Sequence, residues 1–85
     1  MQLRGGEEQP VFKGWVIDRS IGGLCLLVDK PIAETTVLEV RPRQASDQMQ
    51  WTEVTVRTCR QEGSQYEVGC QFHRTPSWNL LLQFG

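Results

Sequence analysis

Residues 14–28, Gly-Trp-Val-Ile-Asp-Arg-Ser-Ile-Gly-Gly-Leu-Cys-Leu-Leu-Val, constrain the fold more than any other stretch of this chain. They read as an apolar strand, a polar turn with two adjacent glycines, and a second apolar strand. Asp18, Ser20 and Gly23 in the turn fit the pattern Asp-x-Ser-x-x-Gly. Flanking strands hold a carboxylate and a hydroxyl at fixed separation. The glycines are expected to let the backbone reverse with φ > 0 and to let a ligand come close. Asp and Ser also cap turns by bonding to nearby backbone N–H groups, so the turn has an ordinary structural reading beside the functional one.

The rest of the chain is read around this hairpin. Met1–Arg4 is a short extended piece that reaches the Gly5-Gly6 turn with no partner before it. Val11–Ser20 alternates, with Val11, Lys13, Trp15, Ile17 and Arg19 on one face and Phe12, Gly14, Val16 and Asp18 on the other. Apolar groups on both faces predict a central strand, and Gly14 a bulge or close crossing. Gly23–Val28 is apolar enough to be buried on both faces. Val37–Pro42 places Leu38 and Val40 inward and Glu39 and Arg41 outward. Trp51–Arg60 is β-rich, with Val54 and Val56 on a common face. Gly63 then closes a hairpin, and Gln65–Phe72 returns with Tyr66, Val68, Cys70 and Phe72 as a core row.

The period changes at the end. Thr75-Pro76 suits an N-cap and a first helical proline. Ser77–Leu82 is then a short helix with Trp78, Leu81 and Leu82 along one side, too short to stand alone. Short strands joined by turns, with one late helical turn, predict an all-β domain built as a small antiparallel barrel.

Composition narrows the function. Nine Lys and Arg against ten Asp and Glu leave a net charge of -1, so no global field attracts a nucleic acid polymer or an acidic membrane. An RNA-binding barrel is disfavoured on that ground. No apolar run approaches the roughly 20 residues that cross a bilayer, and no signal-peptide core opens the chain, so a cytoplasmic location is expected. Cys25, Cys59 and Cys70 are well separated and lack a Cys-x-x-Cys pair. With the lone His73 they do not make up a zinc ligand set, and they read as small core residues. No nucleophile motif places a Ser, His and Asp together, so no catalysis, metal or cofactor is expected.

Arg57, Arg60, His73 and Arg74 resemble a basic patch, but Glu53, Glu62 and Glu67 are interleaved with them, as on a solvated strand face. Trp15, Trp51 and Trp78 are read as core or capping residues, with Trp78 pinning the terminal helix.

The run Asp18-Arg19-Ser20-Ile21-Gly22-Gly23 followed by Leu24-Cys25-Leu26 resembles the second signature of the PilZ domain. Val68-Gly69-Cys70-Gln71-Phe72 resembles that family's closing strand, and the likeness runs from about Val11 to Phe72. The resemblance implies a six-stranded β-barrel and a regulatory module for the bacterial second messenger cyclic di-GMP. It also implies ligand contacts at Asp18, Ser20, Gly22 and Gly23, with Asp18 reading a guanine N–H edge.

Binding members also carry an upstream Arg-x-x-x-Arg motif that clamps guanine and phosphate. None precedes Asp18 here. Arg4 is the only arginine before the motif, and Glu8 stands four residues after it. Arg4 and Arg19 are the cations left to contact the ligand. Over residues 1–20, Arg4, Lys13 and Arg19 are balanced by Glu7, Glu8 and Asp18. Two readings of residues 1–85 as one domain therefore stand. It is a cyclic di-GMP module short at its amino end, or a PilZ-like domain that works through protein contacts or self-association. The second predicts an apolar surface at an unpaired first strand or around Leu80–Leu82.

Overall fold

A computed structural model describes residues 1–84. Seven strands form one antiparallel sheet. They are β1 (Gln2–Arg4), β2 (Phe12–Lys13), β3 (Trp15–Arg19), β4 (Gly23–Val28), β5 (Val37–Arg41), β6 (Thr52–Glu62) and β7 (Gln65–Phe72), followed by helix α1 (Trp78–Gln83). The hydrogen-bonded order is β2-β1-β5-β6-β7-β4-β3. No ladder joins β3 back to β2, so the sheet itself is open. Its two end strands are nevertheless consecutive in the chain, separated only by Gly14, and are thereby held close together. Counted as one bent strand, Phe12–Arg19 makes six strands, the number expected.

Gly14 is the corner. Its N–H donates to the Met1 carbonyl at 3.1 Å, extending the β1–β2 ladder, and the next residue, Trp15, pairs with Leu27 of β4. A Cβ at Gly14 would sit 2.7 Å from Leu3 Cδ1 and 3.1 Å from Val28 Cγ1. The chain changes partner here, and the absent side chain leaves room for the core. The expected central strand is therefore an end strand. Its outer residues Val11, Trp15 and Ile17 are about half exposed, at 52%, 51% and 52%. Met1–Arg4, expected to lack a partner, pairs on both sides, with β2 and with β5.

Inward residues from every other strand meet in one cluster. Leu3, Leu26, Val40, Val54, Val56 and Val68 are fully buried, and Leu24, Val28, Leu38, Cys70 and Phe72 join them from the strands. Period-two alternation puts them there, as the Tyr66–Phe72 row and the Val54/Val56 face predicted. β4 alternates too: Leu24, Leu26 and Val28 are buried, whereas Cys25 and Leu27 are half-buried. A sheet whose single apolar face converges on one cluster has to curl around it.

Beside this core, Trp51 is held between two guanidinium groups, with Arg4 Cζ 4.3 Å and Arg41 Cζ 4.1 Å from its ring centre. Arg41, expected outside, is buried in this stack and donates from Nε to Gln2 Oε1 at 2.7 Å. Stacking on an aromatic face offsets the loss of water around the planar cation.

Helix α1 starts later than expected. Ser77, not Thr75, is the N-cap, its hydroxyl accepting from the Leu80 N–H at 3.2 Å. Leu81 and Phe84 are the buried anchors, with Phe84 stacked on Phe72 at 6.1 Å between ring centres. Trp78 is 65% exposed and does not pin the helix. With Trp15 also exposed, only Trp51 of the three tryptophans is enclosed. No helix among the described residues is long and apolar enough to cross a membrane.

Two outcomes follow for stability. Leu26→Ala removes a fully buried side chain and is expected to lower the unfolding free energy by about 2–5 kcal/mol, read by urea titration. Burial, reinforced by the charge Cys25 would carry, pushes the Cys70 thiol from its ordinary 9.0 up to about 12. The unfolded thiol loses its proton near 9 while the folded one keeps it. The contribution is thus complete below pH 9 and is lost as pH rises towards 12. Cys70→Ala is expected to flatten the alkaline fall in stability by roughly 1–2 kcal/mol at about pH 10.5; a curve parallel to the wild type would contradict the assignment.

Candidate functional site

Two β-bulges build an open groove on the outer surface of the sheet. Regular alternation would give Asp18 the same facing as Val16, towards the core. The register of β3 against β4 shifts between Val16 and Asp18, leaving Ile17 as the extra residue. After the shift Asp18 lies opposite half-buried Cys25, and Arg19 lies opposite buried Leu24. The bulge thus puts Asp18 on the outer face with Cys25, while Arg19, opposite Leu24, keeps its side chain exposed and lining the same groove. A bulge re-aims a side chain in this way because one strand carries an additional residue against its partner.

The second bulge is in β6. There the register against β7 shifts between Val56 and Thr58, with Arg57 as the extra residue. Thr58 takes the outward position opposite Gly69, and Arg57 reaches Gln71 instead, donating from Nε to Gln71 Oε1 at 2.8 Å.

Between the bulges runs a groove of about 390 Å³, lined by the turn residues Asp18, Arg19, Ser20, Gly22 and Gly23 and, across it, by Arg57, Gly69 and Gln71. That volume lies within the roughly 300–1,000 Å³ of small-molecule sites. Five of the six residues expected to bind ligand are together here. Arg4 does not line the groove; it pairs with Glu39 at 2.9 Å and stacks on Trp51.

The turn is held tightly. The Ser20 N–H donates to the Gly23 carbonyl at 2.9 Å, and the Phe72 N–H donates to the Gly22 carbonyl at 3.0 Å. Positive φ was expected at the double glycine, but it occurs at Gly63 in the β6–β7 hairpin and not at Gly22 or Gly23. Gly23 is required for close approach instead: a Cβ there would collide with the Cys70 backbone carbonyl of β7. Asp18 Oδ1 accepts from the Arg19 N–H at 2.8 Å, the turn-capping contact that its residue type predicted. Its second carboxylate oxygen has no protein partner among the described residues.

The remaining groups differ in availability. Arg19 Nη1 donates to the Phe84 carbonyl, tying the turn to the end of α1. Burial, followed by the hydrogen bond to Glu67, raises the pKa of the Cys25 thiol and keeps it neutral on the groove wall. Arg60 is taken up by Glu62 and Glu67, each at 3.1 Å, and His73 Nε2 lies 2.6 Å from Thr55 Oγ1. The solvated-face reading fits those two residues. Arg57 is exposed as well, but the bulge that brings it to the groove leaves no mark in residue type or spacing. Among the described residues no group of three His, Cys, Asp or Glu could hold a metal ion.

Comparison with curated proteins gives no match, and neither does comparison with solved structures. A model of the PilZ domain family matches residues 1–84, which take in every strand and the helix. The Asp18–Gly23 turn, its paired strands and the Val68–Phe72 run of β7 are the features that carry the resemblance. The whole-length match makes the assignment independent of that one short motif: this chain belongs to the PilZ domain family, regulatory binding domains rather than catalysts.

Proposed function

We propose that the domain is a cytoplasmic regulatory module that binds cyclic di-GMP in the groove at Asp18–Gly23. The observation that carries the reading is the outward presentation of Asp18 beside Ser20, above a turn whose Gly22 and Gly23 carry no side chain. Family membership supplies the ligand class. A carboxylate with a free oxygen accepts from the guanine N1–H and exocyclic amine, which are adjacent donors on one edge. The Ser20 hydroxyl adds a donor or acceptor beside it. The bare glycines let the base approach the backbone. The site would exclude bases that lack paired donors, because they would leave the carboxylate desolvated and unsatisfied.

One observation favours a second reading, a nucleotide-independent protein-interaction domain. Trp15, Ile17 and Ile21 are all more than half exposed along β3 and its turn, as is Val11 just ahead of β2. β3 is also an end strand, with one edge free of any ladder among the described residues. Apolar side chains beside a free edge suit pairing with a second chain.

Calorimetric titration of cyclic di-GMP separates the two. Micromolar binding by the wild type, weakened about tenfold or more in Asp18→Ala, is expected for a lost charged hydrogen bond. No heat from a folded wild type would remove the nucleotide reading. The interaction reading instead predicts concentration-dependent association in sedimentation experiments, lost in Ile17→Ser.

A further inference from the structure

The nucleotide reading leaves a charge problem, since a diester dinucleotide brings two phosphates and Arg4 is committed to Glu39 and Trp51. Arg19, although in the turn, has its Nη1 engaged by the Phe84 carbonyl. We infer that Arg57, projected by the β6 bulge, is the residue that binds a ligand phosphate in this groove, with Gln71 as its positioning residue.

Three observations carry this assignment, which rests on the function proposed above. Arg57 is the extra residue at the register shift, so it is released from the alternation that governs its neighbours and is exposed over the groove. Its Nε is fixed by Gln71 Oε1, while its two terminal amino groups have no protein partner among the described residues. It also forms no ion pair there, unlike Arg4, Arg41 and Arg60. A guanidinium held at Nε presents Nη1 and Nη2 as a fork, the geometry that takes two phosphate oxygens at once.

The surroundings agree. Gln71 lies opposite Gly23 in the β4–β7 ladder and opposite Thr55 in the β6–β7 ladder. The position facing it on the turn side therefore carries no side chain to block approach. Gly69, in the adjacent outward row between Cys25 and Thr58, keeps the floor low; a Cβ there would sit 2.5 Å from Thr58 Oγ1. Within the groove, Arg19 and Arg57 face one carboxylate, that of Asp18, leaving one positive charge. Across such a floor one wall supplies the acceptor for a base and the other the cation for its phosphate.

The test is a set of cyclic di-GMP titrations on the 85-residue chain, comparing wild type, Arg57→Ala, Arg57→Lys and Gln71→Ala at several salt concentrations. Arg57→Ala is expected to weaken binding about tenfold or more and to reduce the salt slope by about 1. Arg57→Lys is expected to restore the slope but only part of the affinity, because an ammonium lacks the fork. Gln71→Ala is expected to weaken binding with the slope unchanged, since it removes positioning and not charge. Arg57 is exposed, so the variants fold; unchanged thermal melts verify this. Wild-type affinity and slope in Arg57→Ala, with binding still lost in Asp18→Ala, would overturn the role of Arg57 and leave the function standing. No binding by folded wild type would overturn both.

Discussion

One strand serves both ends of a hydrogen-bonded order, and the fold depends on its bending at Gly14. Up to Lys13 it pairs with β1, and from Trp15 it pairs with β4. Any side chain at the bend would enter the space of Leu3 and Val28. The core can close only because nothing is there. The curled sheet then buries fourteen apolar residues in one cluster, including Met1, Leu81 and Phe84 from outside the strands. For a chain this small, a single shared core is what makes independent folding feasible.

The same economy sets the site. Strands that obeyed strict alternation would turn Asp18 towards the core and leave the outer face without its carboxylate. Each bulge removes one residue from the pattern, and the two lie on either side of the β4–β7 pair. The groove between them is floored by glycine positions and walled by the residues that the bulges re-aim. Bulges of this kind place function without disturbing the core rows, because alternation resumes on the same faces beyond them.

Arg19 links the two parts of the molecule. It belongs to the signature turn and lines the groove, yet it donates to the carbonyl of Phe84, whose ring is buried against Phe72. The short helix is thus held by apolar burial at Leu81 and Phe84 and by a cation from the turn, a stronger tether than its few residues would provide alone.

Much of this was legible in residue order. Alternating apolar positions in Leu38/Val40, Val54/Val56 and Tyr66–Phe72 determined which side chains enter the core, because strand periodicity depends on local geometry alone. The Asp-x-Ser-x-x-Gly run marked the turn, and Gly63 marked the hairpin with its positive φ. What only the tertiary structure decided was where alternation breaks and what each exposed cation meets. The Ile17 and Arg57 bulges arise from the register within two hairpins, β3 with β4 and β6 with β7, which residue type and spacing leave unmarked, and the first of them turns Asp18 to the outer face. Arg4 went to Trp51 and Glu39, and Trp15 and Trp78 went to the surface, because burial depends on which element lies across from a residue. Local chemistry wrote the strands and the turn; the register at which paired strands meet chose the face on which that chemistry is displayed.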